Sequence, residues 1–282
     1  MAVSNLVVDD TQTDAAAVTS GSSFYLAMRI LPAAQRDAMY QVYAFCRAVD
    51  DIADSSLPRA ERAAQLERWR ADIDDCYAGQ PRDSLRALTR HIHTFHLRRE
   101  DFHEMINGMA MDAAADICAP DEATLDLYCD RVASAAGRLS VRIFGMPEGP
   151  GHDLAHHLGR ALQLTNILRD IDEDAEINRC YLPYELLAKE GIATSSPASV
   201  VDDASLPRVC NALAERAKLH FAKADAIMDA SPRQQVRAPR IMSGVYRCLL
   251  DRTVERGFDI PRTKVSKPKA KLLWIVARYA FF

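Results

Sequence analysis

Glycine is scarce in this chain, 11 of 282 residues, about 4% against a usual ~7%. Valine and isoleucine occur only in short clusters, and no alternating strand pattern or Asn-Gly hairpin signal is present, which argues against a β-rich fold. No run of eighteen apolar residues occurs, and no charged-then-apolar stretch opens the chain, so neither a spanning helix nor a secretory leader is expected. The seven cysteines (Cys46, Cys76, Cys118, Cys129, Cys180, Cys210, Cys248) are odd in number and never form C-x-x-C. That argues against both a disulfide framework and a zinc site, and it suits a reducing cytosol. Excess charge is also missing: 35 basic residues against 39 acidic ones give a net charge of -4, with no global field to draw the chain to nucleic acid.

What is abundant is alanine, 44 residues, in blocks of 3.6-residue periodicity that run from Ser23 to the last residues. The blocks are separated by breakers at Leu57-Pro58, Gly79 to Pro81, Ala119-Pro120, Pro147 to Gly151, Gly191 to Pro197, Ser231-Pro232 and Ile260-Pro261. Helix follows helix without an internal repeat, which predicts a single all-α domain over residues 21–260. Residues 1–20 are polar and aperiodic and read as a loose arm. Residues 261–282 carry Arg262, Lys264, Lys267, Lys269, Lys271 and Arg278, no acid, and an apolar series through Trp274 and Ile275 to Phe282. Two readings of this tail stay open: shallow binding to an anionic membrane leaflet, or a terminal helix packed on the domain.

Two segments carry the chemistry. In Tyr40 to Asp54, a helical register of 100° per residue places Tyr43, Arg47, Asp50 and Asp54 within about 60° of one another, beside an apolar face. In Gln163 to Asp174, Gln163, Asn166, Asp170 and Asp174 share an arc of about 80° in the same way. Like charges four apart repel, so each pair asks for a compensating cation. Carboxylate and amide oxygens are hard ligands that suit Mg²⁺, and the nearby Arg47, Arg169 and Arg179 offer bidentate donors to phosphate. Spacing alone leaves two readings: facing acid pairs that form a metal cage for a diphosphate, or solvated acidic faces with an Arg47 to Asp50 ion pair. His91, His93, His96 and His103 lie in a polar, arginine-rich stretch without patterned acid partners and read as ordinary surface histidines.

The stretches SSFYLAMRILP (Ser22 to Pro32), YAFCRAVDDIAD (Tyr43 to Asp54), YCDRVASAAGRLSVRIFG (Tyr128 to Gly145) and LTNILRDIDEDAEINRCYLP (Leu164 to Pro183) resemble the signature blocks of the squalene and phytoene synthase family. RILP, SAAGRLSVRIFG and PRTKVSKPKA resemble the branch that forms presqualene diphosphate for hopanoids more than the phytoene-forming branch, which tends to read VAGTVG where this chain reads VASAAG. The resemblance implies the isoprenoid synthase fold, an all-α bundle around a central cavity, and Mg²⁺-dependent head-to-head condensation of two farnesyl diphosphates with release of diphosphate. By matching positions it implies that Asp50, Asp54, Asn166, Asp170 and Asp174 hold roughly two or three Mg²⁺ ions, with Asp51 in support. It implies diphosphate contacts from Arg47, Arg169, Arg179 and Tyr181, and substrate sites lined by Ser22, Ser23, Tyr43, Tyr128, Gln163 and Tyr246. Phe24, Ala133, Ala135, Ala136 and Gly137 would shape the apolar tunnel.

Tyr43 and Tyr246 are also candidates to accept the proton lost when the cyclopropane closes, alongside released diphosphate. No G-x-G-x-x-G follows a strand, so no nicotinamide cofactor is expected. The alternatives are a phytoene or dehydrosqualene-type synthase and, from another class, a non-catalytic prenyl-lipid carrier, which would have no need of four paired aspartates.

Overall fold

The computed structural model describes residues 27–265 together with Trp274, Ile275 and Arg278. Its helices are α1 (Ala33–Ala53), α2 (Arg59–Tyr77), α3 (Arg86–Phe95), α4 (Arg99–Ala114), α5 (Glu122–Cys129), α6 (Ala135–Ile143), α7 (Glu148–Arg169), α8 (Ile171–Glu176), α9 (Tyr184–Lys189), α10 (Pro197–Val201), α11 (Leu206–Asp229) and α12 (Arg233–Arg256). The described residues contain no strand, only one isolated bridge between Cys118 and Cys180. The all-α expectation holds. The expected arm, residues 1–20, and Ser22, Ser23 and Phe24 lie outside the described residues.

Most of the breakers are helix starts. Pro58, Pro147 and Pro232 occupy the N-cap positions of α2, α7 and α12, and Pro197 opens α10 behind a Ser196–Ser199 capping box. A proline there sacrifices no hydrogen bond, because the first N–H groups of a helix have no partner within it. The expected break from Pro147 to Gly151 is shorter than that: α7 begins at Glu148, and Gly149, Pro150 and Gly151 are already helical.

Helix α7 sits in the middle, packed against α11, α6 and α12, while α1 rests on α4 and α6. Between α5 and α6 the chain makes one π-helical turn, Asp130–Ser134. Small residues let α7 approach this region closely: a Cβ added at Gly159 would stand 2.6–2.8 Å from Ser134, and one at Gly137 would stand 3.1 Å from Ala155. Ion pairs from the buried Arg160 and from Arg138 hold the same region. Arg160 donates to Asp126 at 2.6 and 2.8 Å and to Asp130 at 3.2 Å, and Arg138 reaches Asp130 and Asp101. Near α1, Phe45 meets Phe102 and Trp69 edge-on, with ring centres 5.0 and 5.6 Å apart. Each such buried ring contributes roughly 1.5–3 kcal/mol by area alone.

Two cations of the basic tail are paired. Arg262 donates from a buried position to Asp172 at 2.6 Å and to the carbonyls of Val201 and Phe258, while Lys264 pairs with Glu173 at 2.9 Å. These two cations therefore anchor α8. Ile275 is 5% exposed and lies over Gly244 of α12, whereas the neighbouring Trp274 is 59% exposed. No described helix is long and apolar enough to cross a membrane.

Candidate active site

The first acid stripe lies on the last turns of α1, where Arg47 pairs with Asp50 at 2.7 Å and with Asp51 at 2.8 Å. The second lies where α7 ends and α8 begins. It is not one regular helix: Asp170 leaves helical geometry (φ −105°, ψ 18°) and caps both, although Asp174 N–H still donates to the Asp170 carbonyl at 2.8 Å. Arg169 is bound to the Asp170 carboxylate through both nitrogens of its fork. Arg179 ties the stripes together, donating to Asp54 at 3.0 Å and lying near enough to Asp174 to offset its charge.

Burial, and then the charge of Asp54 one turn along the same helix, push the Asp50 carboxyl up to about 6. Burial and Asp170 push Asp174 up to about 7, and Asp112 raises both. Asp112 is thus a charge that acts on an acid of each stripe. Among the described residues no three of these carboxylates bring oxygens within 4.8 Å of one another; Arg47 pairs with Asp50, Arg169 with Asp170 and Arg179 with Asp54.

Beneath the acids is a cavity of about 320 Å³. Its polar lining comes from the C-terminal halves of α1 and α7 and from α6 and α12: Tyr43, Arg47, Asp50, Ser140, Gln163, Asn166 and Tyr246. The rest is apolar, with Met39, Val132, Leu158 and Met242 among its walls and Ala133, Ala136 and Gly137 keeping it open. Ala135 is fully buried and lies outside the lining, so of the small residues expected to shape the tunnel it alone does not face it. Burial raises the Tyr246 hydroxyl above its ordinary value, and its hydrogen bond to the Asn166 amide partly opposes that shift.

Tyr128 and Tyr181 stand apart from the cavity. Their rings stack with centres 4.8 Å apart, and both hydroxyls donate to one buried carboxylate, Asp112, at 2.9 and 2.7 Å. Asp112, on α4, is the residue that sequence reasoning missed. The available signal was an acid within the apolar run MINGMAMDAA, a position that a helix buries and must therefore partner. Burial raises its pKa against the lowering effect of Tyr181 and Arg179. It anchors the wall behind Arg179.

The Asn166 side-chain oxygen is buried without a hydrogen-bond partner, while its nitrogen reaches Gln163 at 3.4 Å. An orphaned amide oxygen beside aspartates, with no thiol or imidazole among them, is a hard, oxygen-only set that fits Mg²⁺ better than zinc or iron.

Comparison with known proteins agrees with this geometry. The family model described as squalene/phytoene synthase matches residues 17–271. The chain is 59% identical over 263 residues to the presqualene diphosphate synthase of Rhodopseudomonas palustris, a match that covers 93% of this chain and 94% of that one. It is 55% identical over 260 residues to the protein of the same name from Sinorhizobium fredii, covering 92% and 93%. Among solved structures, a dehydrosqualene synthase in complex with ligand superposes with a TM-score of 0.80 at 26% identity, covering 96% of this chain and 95% of that one. Two acid stripes over an apolar cavity, together with a family match along nearly the whole length, lead to one conclusion: the chain belongs to the squalene/phytoene synthase family.

Proposed function

We propose that this chain is a prenyltransferase that joins two farnesyl diphosphates head to head into presqualene diphosphate and releases diphosphate. The observation that carries the reading is the pair of acid stripes, linked by Arg179, above a cavity whose remaining walls are apolar. The names of the relatives at 55–59% identity support the product.

Asp50, Asp54, Asp170, Asp174 and the Asn166 oxygen are the residues that would hold Mg²⁺. When bound there, Mg²⁺ supplies positive charge to the oxygens of a departing diphosphate. Arg47, Arg169 and Arg179 bind the same anion through guanidinium forks that their carboxylates now hold in place. The apolar walls keep water from the allylic cation left by carbon–oxygen cleavage, so that the double bond of the second substrate attacks it instead. Tyr246 is a neutral phenol whose pKa burial raises further, and its hydrogen bond orients the Asn166 amide. The small residues Ala133, Ala136 and Gly137 leave room for the prenyl chains.

The test is incubation of the pure protein with farnesyl diphosphate and Mg²⁺, with and without nicotinamide cofactor and with a chelator control, followed by mass spectrometry. The expected product is a chelator-sensitive cyclopropyl C30 diphosphate formed regardless of cofactor. A C30 hydrocarbon would replace this reading with a dehydrosqualene or squalene-forming one. Turnover of geranylgeranyl diphosphate alone would replace it with phytoene synthesis, and no turnover of any prenyl diphosphate would favour the carrier.

The reading extends to a cytoplasmic protein that touches the inner face of the cell membrane through residues 261–282, supported by the exposed Trp274 beside Arg278. Equal binding to anionic liposomes by the full chain and by a form truncated before Lys267 would overturn that part.

A further inference from the structure

A second cluster of metal-ligating groups lies outside the acid site. His156 and His157 on α7 and His220 on α11 bring one ring nitrogen each within 4.8 Å of one another, and among the described residues no other three histidine, cysteine or acidic side chains gather so tightly. The ring centres are 4.7, 6.0 and 5.2 Å apart for the pairs 156–157, 156–220 and 157–220. All three rings are half-buried between two helices that pack along their length.

We infer that His156, His157 and His220 form a binding site for a first-row transition-metal cation of the zinc class, bridging α7 and α11. The closest contact carries the argument. The Nδ1 atoms of His157 and His220 face each other at 3.0 Å, so one ring carries the shared proton and the other accepts it. Two imidazole nitrogens on one tetrahedral Zn²⁺, each at ~2.0–2.1 Å, stand ~3.3 Å apart, close to the separation seen here, so the metal takes the place of the proton once the two rings turn to aim their lone pairs at it. That proton passes to the outer nitrogen of the same ring, both rings stay neutral, and no proton leaves the protein. His156 supplies the third nitrogen, and water supplies the fourth position.

The surroundings are compatible with this chemistry. Burial, and then neighbouring charges, hold all three imidazoles below their ordinary value, His220 at about 4, so they are unprotonated at neutral pH as ligands must be. The nearby cation Arg160 is paired with Asp126 and Asp130, and the charges of Lys223 and Asp153 act on His157 in opposite directions. Three nitrogen donors are a poor set for Mg²⁺, so this site and the acid site select different ions. Because α7 also carries Gln163, Asn166 and Asp170, a metal here fixes the helix that presents half of the acid site.

The experiment is titration of the full chain with Zn²⁺ in the presence of millimolar Mg²⁺, by calorimetry, and with Co²⁺, by visible absorption. The expected results are one Zn²⁺ per chain, intense tetrahedral Co²⁺ bands without thiolate charge transfer, and a Zn²⁺-dependent rise in melting temperature. His157→Gln and His220→Gln should each weaken Zn²⁺ at least tenfold and abolish the thermal shift, with near-ultraviolet circular dichroism unchanged. His156→Asn, at the third donor, should weaken binding as well. Equal Zn²⁺ affinity in the wild type and the His157→Gln/His220→Gln double variant would overturn the site. So would weak octahedral Co²⁺ bands or thiolate bands in the wild type, a readout that stands even if a variant fails to fold.

Discussion

Replacing Asp112 by alanine removes the acceptor of two hydroxyls that water cannot easily reach, since Tyr128 is 6% and Tyr181 5% exposed. Each buried hydroxyl left unpaired costs about 1–3 kcal/mol, so the pair sets a range of about 2–6 kcal/mol. Two effects pull toward the lower end. The buried carboxylate carries its own desolvation cost, visible in its raised pKa, and water can enter the space it vacates. The expected loss is therefore about 2–4 kcal/mol, a large part of the 5–15 kcal/mol typical of a folded chain. Asp112→Asn keeps the volume: its oxygen accepts from one tyrosine and its amide donates to the other, so it should cost about 1 kcal/mol or less. Urea unfolding of the three proteins at equal m-value gives both numbers. A loss below 1 kcal/mol for alanine would refute the view that this carboxylate satisfies a closed buried network. An asparagine variant as unstable as the alanine one would show that charge, not hydrogen bonding, is what matters there.

Asp50→Asn and Asp174→Asn should each lower prenyl diphosphate turnover by about 10²-fold or more while raising metal-free stability by a few tenths of a kcal/mol, since each relieves like-charge repulsion; unchanged turnover would sink the acid-site assignment. The pH dependence follows in sign from the same two groups. Their native values, about 6 and about 7, exceed the ordinary 3.8, so the folded state binds more protons, and metal-free stability from these groups declines as pH rises from about 4 to about 7. Denaturation midpoints at pH 5 and pH 8 without divalent ions check this, and the double asparagine variant should flatten the difference; Mg²⁺ affinity should fall as pH drops through 7 to 6. Gly159→Ala sets a Cβ against Ser134 backbone at 2.8 Å, so overpacking of about 1–3 kcal/mol outweighs the roughly 1 kcal/mol gained in helix propensity. A melting temperature equal to or above that of the wild type would refute the close crossing.

Helix content, the places where helices begin, and the two acid stripes were legible in the residues, because each depends on local rules: a 3.6-residue period, the fixed φ of proline, and charges four apart on one face. The signature blocks extended that reading to the whole site, and Tyr43, Arg47, Asp50, Gln163, Asn166 and Tyr246 do line one cavity. What remained hidden depends on elements distant in sequence. Asp112 meets Tyr181 across 69 positions, Arg262 reaches Asp172 across 90, and His157 finds His220 across 63. The histidines at 91, 93, 96 and 103 are neighbours in sequence, yet the three that converge come from two helices. The tail reads as uniformly basic, but Arg262 and Lys264 are held by the acids of α8, because their neighbours in space are carboxylates. Periodicity says which face of a helix is buried; which face meets which is settled only when close crossings such as Gly159 on Ser134 bring the helices together.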